Sequence, residues 1–336
     1  MLRISIYILF FLVIAVSVNA QDKEAESLLK EGIELNNEGS YGRAIERFLD
    51  ALKIDDKLWK AKYELAFAYL QSGNPMMAEK YSREIVKGSD SLKLEAFLIL
   101  GAAYDRQDKS KKSLKVYKKT VKEFPDNYLA HFNLGLSYYN RREWDKAEEN
   151  VEKAILNNRA YPGSHFLMSH IMINKGEAVK AMLTLYYFLL LEQDTERAHN
   201  AYDILQDLWK SKVDNVNGKR IISIGKGSND FFKMVDIAIK MKASEYDPDL
   251  KPEEQLKIFA DNTKLLFDVI SNTYDEELGF WEITYLDFFK KLYDRGYSEQ
   301  FAYYISNTSY RPQVLVWLSD HYSGFNSFIN WMGLQE

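Results

Sequence analysis

The sequence of 336 residues contains no cysteine. Disulfide bonds are therefore excluded, and so is a lipid anchor on a cysteine that follows a signal. Stability must come from core packing alone, which suits an array of large helices better than a small secreted scaffold. A disordered chain does not fit either, because 46% of the residues are hydrophobic and 28% are charged.

An excess of positive charge is also missing. The chain has 44 lysines and arginines against 49 aspartates and glutamates, which gives a net charge of −5. A protein that binds nucleic acid usually carries a basic patch or a basic balance. Nucleic acid is therefore not a predicted partner.

The longest apolar run lies within the first twenty residues. Arg3 precedes a run from Ile4 to Val16, small or moderate residues follow up to Ala20, and the composition becomes polar from Gln21 onward. This order predicts a cleavable secretory signal over residues 1–20. A permanent membrane anchor is the alternative, but an apolar core of about thirteen residues falls short of the roughly twenty that span a bilayer. We expect an exported protein with a net charge of −6 after cleavage, in the bacterial periplasm or secreted, that does not span the membrane.

Small residues recur at a nearly constant interval between residues 32 and 181. Intervals of 34, 35, 34 and 34 residues separate the members of the series Gly32, Ala66, Gly101, Gly135 and Ser169. A second small residue follows each of them after twelve positions, at Ala44, Ala78, Ser113, Ala147 and Ala181. Two helices cross closely only where the side chain at the crossing is small, so the spacing predicts a series of helical hairpins.

This pattern resembles the tetratricopeptide repeat. The fourth copy shows it best, with Leu134, Gly135, Tyr138, Ala147 and Ala154. The sequence departs from the family pattern in two ways: most copies lack the closing proline, and Leu28 of the first copy occupies the position of the usual tryptophan. The resemblance implies an all-α fold, a right-handed superhelix of five hairpins and a capping helix, with partners bound on the face lined by the first helix of each hairpin. The hairpins are predicted at 25–58, 59–92, 94–127, 128–161 and 162–195, and the capping helix at 196–209. We therefore expect a repeat array over residues 21–212.

The repeat phasing selects the residues that should line this inner face, and they are apolar or aromatic. The candidate partner-binding residues are Tyr63, Phe67, Phe132, Leu136, Tyr139, Phe166 and His170. A clamp for an acidic peptide terminus needs several charged donors, which Lys30 and Asn133 alone do not supply. Two interpretations stay open: the face receives a partner's apolar segment, or the chain's own C-terminal half covers it at the fourth and fifth hairpins. The run from Met182 to Leu191 favours the second, because a helix that is apolar all round must be buried all round.

Residues 213–336 are predicted to form a C-terminal helical domain rich in aromatic residues. Helical spacing such as Trp281, Tyr285 and Phe288 indicates a core stripe, although rings with polar edges also suit a platform for sugars.

No constellation of catalytic or metal-binding residues stands out. The histidines His131, His165 and His199 lie one repeat apart, which predicts a ladder along the array and not a converging metal site. The sequence from Gly225 to Ser228 lacks the spacing of a phosphate-binding loop. No cofactor, metal or catalytic residue is predicted.

The sequence therefore predicts a non-catalytic scaffold or adaptor that binds another protein of the cell envelope, within an envelope or secretion assembly. The alternative is that the C-terminal region is a glycan-binding or hydrolase module carried by the array, because carboxylates are plentiful there.

Overall fold

A computed structural model describes residues 21–210, 214–216, 219–221, 230–243, 249–273 and 279–333. The predicted signal at 1–20 and the predicted domain boundary at 212/213 lie outside these residues and stay predictions. The chain divides into two compact units, one up to Arg141 and one from Arg142 onward. None of the described helices combines the length and the apolar character that a membrane-crossing helix needs.

The first unit is a stack of antiparallel helices. Its elements are α1 (21–37), α2 (Tyr41–Ile54), α3 (Trp59–Gln71), α4 (Pro75–Gly88), α5 (Lys93–Asp105), α6 (Ser110–Glu123) and α7 (Tyr128–Asn140). Their ends follow local signals: the Asn74 side chain accepts a hydrogen bond from the Met77 amide at 3.3 Å, and Pro75 begins α4. The helices follow the predicted hairpin ranges, except that α1 begins four residues and α5 one residue earlier than predicted. The prediction of an all-helical repeat fold is confirmed.

The second unit continues with helices and contains one short β-hairpin. Its elements are α8 (Trp144–Asn157), α9 (Pro162–Lys175), α10 (Ala178–Leu191), α11 (Glu196–Lys210), the antiparallel strands β1 (Asp214–Val216) and β2 (Lys219–Ile221), α12 (Asp230–Lys242), α13 (Pro252–Thr273), a π-helix (Glu282–Leu286), α14 (Asp287–Asp294) and α15 (Ser298–Met332). The last helix is interrupted only at Tyr310, two residues before Pro312. The sequence predicts separate helices at 312–322 and 324–332, but Ser323 and Gly324 are helical and the two form one helix.

The small residues occupy the crossings for which the spacing predicts them. Ala44, Ala78, Ala147 and Ala181 are fully buried. A Cβ atom on Gly32 would overlap the ring of Phe48. Glycine is therefore required at this crossing because the ring of the second helix occupies the space of a side chain.

The turn inside each hairpin repeats the same backbone conformation. A positive φ recurs at Gly39, Gly73, Asp108, Arg142 and Gly176, at the same intervals as the small residues. Glycine adopts this left-handed region without steric cost, whereas Asp108 and Arg142 place a Cβ there. The backbone thus keeps the period even where the sequence does not supply glycine.

The helix α10 is buried on every side, as its sequence predicts. All of its residues from Val179 to Leu190 are buried. It packs against α9 and α11 and also against α12, α15 and the π-helix. The C-terminal helices therefore share one core with the last hairpin of the array.

Candidate functional site

In the first unit, the first helices of the hairpins line the inner side of the stack. The helix α3 packs against α5, and α5 packs against α7, whereas the second helices α2, α4 and α6 make no comparable contact with one another. Successive elements lie closest on the inner side of a curved stack. The predicted candidate residues Tyr63, Phe67, Phe132, Leu136 and Tyr139 all belong to α3 and α7.

Tyr63 and Phe67 lie one turn apart on α3, and both are half-buried. Their inner edges pack against a buried cluster that includes Leu70, Ile99 and Ala103. Burial raises the pKa of Tyr63, with a further contribution from the charges of Glu64 and Glu95. The two rings are thus fixed on a packed base and keep part of their surface accessible.

A carboxylate lies close enough to Tyr63 to influence its titration. The Glu95 carboxylate contributes to the raised pKa of Tyr63, and its Oε2 atom is buried without a hydrogen-bond partner. A buried acceptor without a donor costs free energy, so this carboxylate is held in place at the expense of stability. The repeat period would have predicted that Glu95 lies on this face, but the sequence does not predict that its Oε2 atom is buried.

On α7, the residues Phe132, Leu136 and Tyr139 are half-buried as well. Asn133 donates its side-chain amide to the Leu129 carbonyl at 2.8 Å, and Lys30 on α1 lies 4.0 Å from Glu34. Asn133 is thus engaged within its own helix, whereas Lys30 and Glu34 are both exposed and their contact is weak. That the face is not a clamp for acidic termini stays a prediction.

The first unit also has a cleft at α1, and none of the predicted partner-binding residues lines it. It has a volume of about 410 Å³, an apolar floor of Leu29 and Ile33, and a rim that includes Lys23, Lys30 and Lys60. Lys60 lies 34 residues after Glu26, which also lines the cleft, so the repeat period itself would have predicted that both face this side.

The remaining candidates, Phe166 and His170, lie on α9 in the second unit. Both are half-buried, and their rings meet edge to face at 4.6 Å between centroids. Phe166 also contacts Phe188 of α10 at 4.9 Å, and burial lowers the pKa of His170. The C-terminal helices cover α10, whereas this part of α9 keeps exposed surface.

The histidine ladder has a structural role at two of its positions. His131 Nε2 lies 2.7 Å from the Pro125 carbonyl, and His165 Nε2 lies 2.9 Å from the Arg159 carbonyl, six residues back in each case. A carbonyl only accepts, so each Nε2 carries a proton and donates it. The histidines therefore fix the loop that precedes their helix.

His165 also joins the repeat to the π-helix. Its Nδ1 atom carries no proton and accepts a hydrogen bond from the Tyr285 hydroxyl at 2.8 Å. Arg159 donates to the carbonyls of Ile283, at 2.6 Å, and Thr284 in the π-helix. A π-helix shifts its carbonyls out of the regular ladder, and Arg159 satisfies two of them. Burial lowers the pKa of His165 to about 4.

The low pKa of His165 predicts a loss of stability in acid. The unfolded chain takes up a proton below a pKa of about 6.5, but the folded chain does so only near 4, so acid favours unfolding between these values. Through this proton uptake, we expect His165 to lower the free energy of unfolding by about 2 kcal/mol when the pH falls from 7.5 to 5. The His165→Gln variant should lack this part of the decline when unfolding is measured by urea titration across that range.

His199→Gln is the matched control, because His199 occupies the equivalent repeat position and is exposed. Burial, followed by the charge of Glu148, raises the pKa of Glu152 to about 7. Protonation of Glu152 therefore stabilises the folded chain as the pH falls, which opposes the effect of His165. Glu152 is present in every variant, and the difference between wild type and His165→Gln therefore isolates the histidine. Equal pH slopes for wild type and His165→Gln would show that the interpretation of His165 is wrong.

Comparison with known proteins places the repeat in a family. Residues 98–165 match the tetratricopeptide repeat family model. No curated protein matches the sequence. Among solved structures, a thermophilic tetratricopeptide-repeat protein of Thermus thermophilus is 20% identical with a TM-score of 0.47, over 55% of this chain and 98% of that chain.

Two further solved structures are similar at the same level. PilF of Pseudomonas aeruginosa is 19% identical with a TM-score of 0.47, over 56% of this chain and 90% of its own. MamA of Desulfovibrio magneticus is 16% identical with a TM-score of 0.41, over 56% of this chain and 96% of its own. The helical hairpins, their period and the family match agree: residues 98–165 are tetratricopeptide repeats, and the prediction of a tetratricopeptide-repeat protein is confirmed.

Proposed function

We propose that this chain is an exported scaffold or adaptor that holds an apolar or aromatic segment of another protein of the cell envelope. Tetratricopeptide repeats form protein–protein interaction scaffolds, which supports the general role. The apolar run at residues 4–16 supports export, and the inner face of the first unit supports the chemistry of the partner.

The pair Tyr63 and Phe67 carries this proposal. The two rings are half-buried on a base of Leu70, Ile99 and Ala103, so they lose little side-chain freedom when a partner covers them. Aromatic side chains contribute large apolar contact areas and are frequent in the centres of interfaces. A helix or extended segment with apolar anchors is therefore the partner that fits this face.

Site-specific crosslinking tests the proposal. A photo-crosslinking amino acid in place of Phe67, in cells that produce the full chain, should yield a discrete crosslinked protein in the periplasmic fraction. The same amino acid in place of Met76 is the control, because Met76 lies on the second helix α4 and is 70% exposed.

The partner captured at position 67 should be lost in the Tyr63→Ser background, since that change removes half of the aromatic pair. The proposal fails if positions 67 and 76 capture the same proteins, or if Tyr63→Ser leaves the product at position 67 unchanged. Recovery of the chain only in the cytoplasm would contradict the export part.

The alternative, a glycan-binding module in the C-terminal region, requires an open aromatic face. Trp317 does not offer one, because Tyr303 stacks on it at 4.0 Å and His321 at 4.4 Å between ring centroids. Tyr285 and Phe289 are fully buried in the core. These contacts favour the core interpretation of the aromatic stripe over a sugar platform.

A further inference from the structure

One face of α6 carries a row of lysines. The helix contains six lysines and one acidic residue, Glu123, in a chain whose net charge is −5. Lys111, Lys115, Lys118 and Lys122 are all exposed. Their spacing along an α-helix keeps them within an arc of about 60° over about three turns. They therefore form one continuous row of positive charge.

This row points away from the rest of the stack. The buried residues of α6 are Ser113, Tyr117 and Thr120. At 3.6 residues per turn, they lie on the side of the helix opposite the row of lysines. Because α6 is the second helix of its hairpin, the row forms an outer ridge of the first unit.

The row is not neutralised by neighbouring carboxylates. Glu123 lies 3.1 Å from Lys93 and 3.5 Å from Lys119, and neither of these lysines belongs to the row. None of the four row lysines forms an ion pair with a described residue. Like charges three or four residues apart destabilise a helix, so the row is kept at a cost in stability.

The preceding second helix extends the row to an area. The equivalent positions of α4 carry Lys80, Arg83 and Lys87, which are exposed as well. Arg83 pairs with Glu79 at 3.4 Å, whereas Lys80 and Lys87 form no ion pair with any residue that the structure describes. The four lysines of α6 and the three cations of α4 together form the outer basic patch.

The repeat itself does not require cations at these positions. In α8, which is also the second helix of a hairpin, the equivalents of the α6 row are Asp145, Glu149, Glu152 and Leu156. The same fold thus accepts carboxylates and an apolar residue where α6 has lysines. What the patch contacts, and not the packing of α6, therefore explains the cations.

The chemistry of the patch selects the partner. Lysine is a mobile point charge that suits an array of phosphates without fixed geometry, whereas arginine suits paired contacts of fixed geometry. The rings beneath the α6 lysines are Phe97, Tyr104 and Tyr138, and they are only 2–7% exposed, so no base could stack on them. Clusters of four to eight cations at a protein surface attract anionic lipid headgroups.

We propose that the outer basic patch docks this chain on a membrane surface that contains anionic phospholipids. The lysines contact headgroup phosphates, and the chain lies on the bilayer without crossing it. The inner face lies on the other side of the first unit and stays accessible, so the test of this docking does not depend on the proposed scaffold function.

Sedimentation with lipid vesicles tests the docking. The full chain without residues 1–20 is used, so that the apolar run at 4–16 cannot insert into the bilayer. Vesicles of equal parts phosphatidylglycerol and phosphatidylcholine should bind the chain, and vesicles of phosphatidylcholine alone should not. Binding should weaken as the salt concentration rises, because salt screens exposed charges.

Equal binding to both kinds of vesicle, or binding that salt does not weaken, would overturn the proposal. A duplex DNA of random sequence is the competing polyanion. If it binds the chain more tightly than the phosphatidylglycerol vesicles do, the patch is a nucleic-acid surface and the proposal is wrong.

A fourfold variant locates the contact. It combines Lys111→Gln, Lys115→Gln, Lys118→Gln and Lys122→Gln. Each lysine near an anionic surface contributes a factor of about five in affinity, so the variant should bind the anionic vesicles about a hundredfold more weakly or worse. The variant should melt at the wild-type temperature or above it, since it removes like-charge pairs.

The matched control removes the same number of charges outside the patch. It combines changes at four exposed lysines: Lys53→Gln, Lys57→Gln, Lys146→Gln and Lys153→Gln. This control should keep most of the vesicle binding. Equal losses in both fourfold variants would show that net charge alone is responsible, and a lower melting temperature of the α6 variant would show that its lysines serve the fold; either result contradicts the proposal.

Discussion

Gly101→Leu is expected to lower the free energy of unfolding of the repeat by about 3 kcal/mol or more. Gly101 lies in α5 where the ring of Tyr117 from α6 crosses it, and a Cβ atom at this position would overlap that ring. Tyr117 has no room to retreat, because it is 2% exposed and its hydroxyl donates to Asp105 at 3.1 Å. Leucine is a good helix former, so a loss of stability reports the helix crossing and not helix propensity.

Thermal melting and hydrogen exchange in α5 and α6 measure this effect. Gly42→Ala is the control, because Gly42 lies in α2 and a Cβ there would meet no atom within 4 Å. That change should be neutral or should raise stability by about 0.5–1 kcal/mol, as alanine favours a helix more than glycine. If Gly101→Leu unfolds at the wild-type temperature with unchanged exchange, the small residues do not set the crossing distance.

Gly101 also shows why so much of the fold could be predicted from the sequence. In the first and third hairpins, a ring sixteen residues further along the chain occupies the space of a side chain, Phe48 at Gly32 and Tyr117 at Gly101. A small residue recurs at the crossing in every hairpin, and it becomes visible as a period. The left-handed turn positions follow the same period, but Asp108 and Arg142 occupy two of them, so the turns could not be recognised from glycine alone. Repetition made the array predictable where single positions were ambiguous.

The same repetition made the candidate residues on the inner face predictable. Tyr63, Phe67, Phe132, Leu136, Tyr139, Phe166 and His170 are all half-buried, as expected for a lined and accessible face. Whether they bind a partner stays a prediction. The unpartnered oxygen of Glu95 was not predictable, because its burial depends on packing between hairpins.

Contacts between distant, non-repeated segments could not be predicted. Arg159 binds the carbonyl of Thr284, and His165 binds the hydroxyl of Tyr285, across more than a hundred residues of sequence. No period relates these positions, and no local sequence pattern predicts the π-helix that brings them together.

Tyr186→Ala is expected to destabilise the second unit by about 3–5 kcal/mol. Tyr186 is fully buried in α10, and its ring contacts four phenylalanines of the C-terminal helices: Phe259, Phe267, Phe289 and Phe301. Its hydroxyl lies 2.8 Å from Thr263 Oγ1 and receives the Trp209 indole N–H at 3.1 Å. The substitution would therefore leave a large cavity and unpaired polar groups in the core that the last hairpin shares with α13, α14 and α15.

Because this core is shared, the loss should appear in helices far from α10 in sequence. Hydrogen exchange in α13 and α15 should accelerate together with exchange in α10 when Tyr186 is replaced, as expected for one cooperative unit. Tyr322→Ala makes the same chemical change at a site on α15 that is 70% exposed, and it should alter the melting temperature little. Faster exchange in α9 and α10 alone, with α13 and α15 still protected, would show instead that the C-terminal helices fold independently of the repeat, as a separate domain.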